Sequence, residues 1–221
     1  GEGPAVNRST GCQTVAGPPC HWLVRATVRS WSRNSPRIEG PYSVALSPVL
    51  LKLSGLMRIA VTGGSGKAGR VVVHDLIENG HDVLNIDRAP SNESFSPEAP
   101  VPYLSVDVTD FGQTLEALSG VEGLPRIDAV VHLAAIPSPA HATPDQVFRT
   151  NITSTYTVFS AAARLGIKRV VWASSETTLG LPFERPPDYA PVDEAHLYPE
   201  ASYALSKVLG EEMARQFSRW S

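Results

Sequence analysis

The order of elements in this sequence predicts an α/β fold built on a parallel, doubly wound sheet. Three observations carry that expectation. From Met57 onward, short β-branched apolar runs alternate with helical stretches of roughly 10–20 residues. A glycine-rich turn, Gly63-Gly64-Ser65-Gly66-Lys67-Ala68-Gly69, separates the first run from the first helix. An acidic residue, Asp87, closes the second run 18 residues beyond Gly69.

Each element has its own signal. Arg58-Ile59-Ala60-Val61-Thr62 is a short β-branched strand. The helix after the glycine turn draws its apolar face from Val71, Val72, Leu76 and Ile77 and stops at Asn79-Gly80. Residues 82–87 form the second strand, and a Pro/Ser-rich loop runs from Ala89 to Pro102. Leu104-Ser105-Val106 is a third short strand, followed by a helix over 110–119. Residues 127–133 form the fourth strand. The next helix opens on Thr143 as N-cap, with Pro144 at its first position and Gln146 completing a capping box. It ends at Gly166. Residues 170–174 form the fifth strand, and after a Pro-rich loop a last helix runs from about Glu200.

Composition bounds the alternatives. The 221 residues are 42% hydrophobic and 19% charged with a net charge of −3, which excludes a charge-rich disordered chain and leaves no basic footprint for nucleic acid. No apolar run approaches the ~20 residues of a membrane span, so neither nucleic acid nor membrane is an expected partner. We expect a cytoplasmic protein. Residues 1–56 carry six Lys or Arg against two acids, whereas residues 57–221 carry thirteen against twenty. That split marks an extension joined to a domain. The extension is Pro-, Ser-, Gly- and Arg-rich without sustained periodicity, and we expect it to be mostly disordered. Two readings of it stand: upstream sequence before a start at Met57, or an Arg/Ser-rich targeting peptide. A secretory signal lacks its apolar core. Both cysteines, Cys12 and Cys20, fall there with no neighbouring His cluster, so no metal site is expected.

The glycine turn has a specific use. A first glycine allows the tight turn, a second lets backbone N–H groups approach a pyrophosphate, and a third lets helix pack on strand. The helix N-terminus attracts the negative charge. Gly63, Gly66 and Gly69 fill these places, with Lys67 and Ala68 between the last two, and Asp87 suits the adenosine ribose hydroxyls. A nucleoside-triphosphate loop does not fit, because Val61 stands where glycine is needed and Ala68 where Ser or Thr would hold magnesium. A carboxylate at 87 repels a 2′-phosphate and favours NAD. Arg88 beside it keeps NADP open.

With these residues in order, residues 57–221 resemble the extended short-chain dehydrogenases/reductases, the NAD-dependent epimerase/dehydratase family. The resemblance rests on Thr62 to Gly69, Asp107-Val108, His132-Leu133-Ala134-Ala135, Asn151, Ser174-Ser175, and Tyr203 with Lys207. It implies a Rossmann-like domain. Tyr203 would be the general acid/base, Lys207 would stabilise its phenolate and bond the nicotinamide ribose, and Ser175 would hold the reacting oxygen. Ser174 stands as the alternative hydroxyl. Asp107 and Val108 would flank the adenine, and Leu133, Ala134 and Ala135 would line the cofactor passage. Asn151 would bond backbone near the site. His132 reads as a strand residue rather than a metal ligand.

The residues after Ser175 bear on the reaction. Dehydratases of this family resemble one another in a Thr-Asp-Glu cluster, where this chain has Ser175-Glu176-Thr177 and so lacks the eliminating base. Epimerases have a Ser followed two residues later by Thr, as here, although Leu179 replaces their usual Tyr. The expectation is an NAD-dependent sugar or nucleotide-sugar epimerase/oxidoreductase. A sugar dehydrogenase is the alternative, and a non-catalytic dinucleotide sensor is the second. The resemblance also implies further strands and a substrate-binding lobe beyond Ser221, and a homodimer through the long helices.

Overall fold

The computed structural model describes residues 21–23, 56–91, 101–120, 125–137, 142–180 and 193–220. In chain order the elements are β1 (His21–Leu23), β2 (Arg58–Thr62), α1 (Lys67–Glu78), β3 (Asp82–Asp87), β4 (Tyr103–Ser105), α2 (Phe111–Ser119), β5 (Ala129–His132), α3 (Pro144–Leu165), β6 (Arg169–Trp172) and α4 (Ser202–Trp220). One six-stranded sheet runs in the order β1-β6-β5-β2-β3-β4, and every neighbouring pair is parallel. From β2 the chain winds outward through β3 and β4, then returns to the other side of β2 for β5 and β6. The β2/β5 boundary is therefore the topological switch point, where such sheets open a crevice at their carboxyl ends.

Helices cover both faces, so the strands are buried on both sides. In β2, Ala60 faces the larger core, which holds Leu84, Ile86, Val130, Val158, Phe159, Val170, Trp172 and Phe217. Its neighbours Ile59 and Val61 face a smaller core with Val73, Leu76, Val83 and Val131. This is the period-2 alternation of a strand. Phe159 makes edge-to-face contacts with Trp172 and Phe217, their ring centroids 6.2 and 5.8 Å apart, tying α3 and α4 to β6.

The helix ends follow the capping chemistry. The Asp110 side chain accepts from Gln113 N at 2.9 Å to open α2. Thr143 accepts from Gln146 N at 3.4 Å, with Pro144 as the first residue of α3. Gly166 closes α3 in the left-handed region at φ 70°.

Some boundaries differ from the sequence expectation. The third strand lies at 103–105 rather than 104–106, the fourth shortens to 129–132, and the fifth ends at Trp172. Residues 133–135 and 173–175 fall outside the strands, at the carboxyl ends of β5 and β6. On α1, Val71 is exposed, and Val73 takes the core place expected of it. The helix is set by Gly69 and Leu76 packing on the sheet, which rotates 71 outward. The extension, residues 1–56, lies outside the described residues except for β1 and Leu56. His21–Leu23 pairs with β6 from Arg169 to Val171, a strand within an extension expected to be mostly disordered, whose one local signal is the short apolar island Trp22-Leu23-Val24.

Phe159 is fully buried. Phe159→Ala should lower unfolding free energy by about 3–5 kcal/mol, read as a shifted urea midpoint with an unchanged slope.

Candidate active site

Two groups of side chains gather at the carboxyl ends of the strands. The first surrounds the glycine turn. Gly63 has φ 73°, and a Cβ there would lie 2.6 Å from Ala134 N and 2.9 Å from the Leu133 carbonyl carbon. The turn thus presses against the backbone of Leu133 and Ala134, and Ala135 follows half-buried. A Cβ at Gly69 would lie 2.1 Å from Gly63 O, so helix and turn can close together only without it. A Cβ at Gly66 would approach only Gly63 O, at 3.2 Å, leaving its other side open. Gly66 is the N-cap of α1 and makes no side-chain cap, and the first turn holds no acid. Gly66, Lys67 and Ala68 are exposed. An uncapped helix start with open backbone suits an anion.

The second strand braces this turn. Asp87 Oδ2 accepts from Ser65 N at 3.1 Å and Oδ1 from Arg88 N at 2.7 Å, while the Arg88 side chain is exposed. Asn85 Nδ2 donates to Ser65 Oγ at 3.1 Å, and a Cβ at Gly64 would strike Asn85 Oδ1. Asp107 Oδ1 accepts from Thr109 N and Oγ1 at 2.9 and 2.7 Å, bonds that hold its carboxyl below the usual range. Val108 is buried beside it.

The second group lies between β6 and α4. The Ser175 hydroxyl accepts from Thr177 Oγ1 at 3.0 Å and Thr177 N at 3.2 Å, and lies close enough to the Tyr203 phenol to favour its ionised form. Lys207 is buried one turn beyond Tyr203, and its Nζ donates to Ala173 O at 2.7 Å. The ammonium sits 4.7 Å from the Trp172 ring centroid and 5.7 Å from that of Tyr203. Burial pulls Lys207 down to about 8. Burial also pushes the Tyr203 phenol up, opposed by the neighbouring Ser175 hydroxyl and aided by the Glu176 carboxylate. The Lys207 ammonium is held on Ala173 O. Ser174 faces elsewhere, donating to the buried Glu211 at 2.6 Å, which leaves Ser175 as the hydroxyl beside Tyr203. Asn151 is buried and clamps the Ile136 backbone, accepting from its N–H at 2.8 Å and donating to its carbonyl at 3.1 Å.

The two groups meet through residues the sequence reading left out of the site. His132 at the end of β5 bonds Thr62 Oγ1 at the end of β2 through Nδ1, at 2.6 Å. Thr62 Oγ1 also accepts from Ala134 N at 3.4 Å. Burial, with the nearby Lys207 charge, drives His132 down to about 3, so its ring is neutral. The available signal was a polar residue ending an apolar strand. For Glu211 it was a carboxylate four residues after Lys207 on the same helix stripe. Among the described residues, no cluster of His, Cys, Asp or Glu is arranged to hold a metal. Among them, no helix is long and apolar enough to cross a membrane.

Residues 59–220 match the family model described as the NAD dependent epimerase/dehydratase family. The chain belongs to that family. It is similar to a putative UDP-glucose 4-epimerase of Methanocaldococcus jannaschii, 29% identical over 164 residues, 73% of this chain and 51% of the relative. It is also similar to the L-arabinose 1-dehydrogenase (NAD(P)(+)) of Haloferax volcanii, 34% identical over 172 residues, 74% of this chain and 62% of the relative. Among solved structures it resembles a short-chain dehydrogenase/reductase superfamily protein from Agrobacterium tumefaciens with bound NAD. That likeness has TM-score 0.59 at 35% identity, over 72% of this chain and 44% of the other. The chain spans between 44 and 62% of the length of four curated relatives, less than two thirds of each.

The buried histidine of this family member makes stability pH-dependent. Its folded value, about 3, lies below the ordinary 6.5, so the stabilisation is complete above pH 6.5 and fades as pH falls toward 3. Between pH 7 and pH 5 the loss should be on the order of 2 kcal/mol. Urea unfolding of His132→Leu should lack that increment.

Proposed function

We propose that this chain is the dinucleotide-binding part of an NAD-dependent sugar or nucleotide-sugar epimerase/oxidoreductase in which Tyr203 is the general acid/base. One observation carries the reading. The Tyr203 phenol lies beside the Ser175 hydroxyl and one helical turn from the buried Lys207 ammonium, at the sheet end that holds the glycine turn.

The residues present fit NAD. The α1 N-terminus and the N–H groups around Gly66 would take the pyrophosphate. Asp87 would take the ribose hydroxyls, and its charge favours NAD over its 2′-phosphorylated form. Asp107 and Val108 would flank the adenine. Bound NAD would supply the acceptor for the two electrons leaving the substrate's carbinol carbon. The chain's own residues would manage the proton. Ser175 would hold the reacting hydroxyl, and Tyr203 would take its proton in one direction and return it in the other. Lys207 and the positive nicotinamide would draw the phenol down from its raised value. Neutral His132 adds no competing charge there.

The likeness to the epimerase of M. jannaschii and the Ser175/Thr177 pair favour epimerisation. A dehydrogenase is the second reading. It is favoured by the likeness to L-arabinose 1-dehydrogenase and by Leu179, which ends the short 3₁₀ turn Glu176–Leu179 where epimerases resemble one another in a Tyr. A second copy is the proposed protein partner, packing on α3 and α4, which leave Tyr156, Leu205, Leu209 and Trp220 exposed.

With the chain in its full-length context, NAD and neutral sugars or UDP-sugars, a dehydrogenase accumulates reduced nicotinamide. An epimerase does not, and shows the altered sugar in product analysis. Tyr203→Phe should cut turnover by at least about a thousandfold, on the general acid/base range, with NAD affinity within twofold. Undiminished turnover overturns the role. NAD binding without turnover of any sugar supports the dinucleotide sensor instead.

A further inference from the structure

Three consecutive residues after β6 face α4. Ala173 O accepts from Lys207 Nζ at 2.7 Å, Ser174 Oγ donates to Glu211 Oε1 at 2.6 Å, and Ser175 lies beside the Tyr203 phenol. The three α4 partners are spaced four residues apart, along one stripe of the helix. We infer that Glu211 is a positioning residue, which acts through Ser174 to hold residues 173–175 in register with Tyr203 and Lys207. The inference rests on the catalytic reading of those three side chains.

Glu211 is only 1% exposed. A buried carboxylate is costly to keep, and an apolar side chain of similar volume usually serves packing as well or better. Packing of α4 on β6 is also secured elsewhere. A Cβ at Gly210 would lie 2.5 Å from Trp172 Cζ2, and Ala214 and Phe217 join the same core. What the carboxylate adds is a short, charge-assisted bond to the residue between the Lys207 anchor and Ser175. Arg215, on the next turn, approaches Glu211 Oε2 at 3.6 Å from the solvent side. The effect on Lys207 is geometric, since the lowering of its amine comes from burial. The groups facing that amine are Tyr203 on its own helix, Trp172 and Ala173 O from the end of β6, and neutral His132 from β5.

Loosening residues 173–175 would admit water to the Lys207 amine and let it titrate nearer its ordinary value. The chain has four lysines, Lys52, Lys67, Lys168 and Lys207, so carbon-13 labelling at the lysine ε position resolves them, with Lys207→Arg giving the assignment. In the wild-type chain Lys207 should titrate near 8. In Ser174→Ala and Glu211→Leu the midpoint should rise by about one unit or more. Glu211→Gln keeps an acceptor for Ser174 and should stay within a few tenths of wild type. An unmoved Lys207 midpoint in folded Ser174→Ala overturns the inference. So does loss of the fold in both Ser174→Ala and Glu211→Leu, because the pair would then hold the fold and not the site. The titration needs no turnover, so its failure is separate from that of the Tyr203→Phe experiment.

Discussion

The backbone of Gly63 runs so close to Leu133 and Ala134 that a single methyl group would collide with it. That contact sits at the switch point, where the chain leaves β2 for one half of the sheet and returns through β5 for the other. It forces a left-handed glycine turn, and the turn leads into the uncapped start of α1. Gly69 completes the constraint by letting the helix close on the turn. Everything proposed for a dinucleotide depends on this approach, because only bare backbone can present its N–H groups to a pyrophosphate at such short range.

The other half of the site depends on one helix face. Tyr203, Lys207 and Glu211 repeat every four residues on α4, and two of them bond the segment after β6, Lys207 to Ala173 O and Glu211 to Ser174. Close packing of Gly210 on Trp172 fixes how near the helix lies. The polar contacts fix where along the strand it sits. The two halves are joined at strand ends by His132 and Thr62, a buried neutral pair that ties the turn to Ala134 without placing a second positive charge beside Lys207.

Much of this was legible beforehand. Strand and helix order came from alternating periodicities, and the caps at Asp110, Thr143 and Gly166 formed where their residue types direct. Those are local effects, carried by residues within a turn of each other. Val71 was misread because one helical turn holds three valines, and only docking on the sheet decides which faces inward. The sequence favours Ser175 over Ser174 but does not say where either hydroxyl goes, for a related reason. Two adjacent hydroxyls leaving a strand point to different neighbours, and the neighbours come from a helix some thirty residues away.

By itself, then, the sequence determined the parallel sheet, the glycine turn with its acid at Asp87, and the family these belong to. Each is written in short-range spacing. Tertiary structure alone decided that Lys207 rests on Ala173 O, that Glu211 is buried against Ser174, and that His132 stays neutral. Burial and hydrogen-bond partners at these positions come from segments distant in the chain. The charge state of a buried group follows from what surrounds it, which no local pattern of residues encodes.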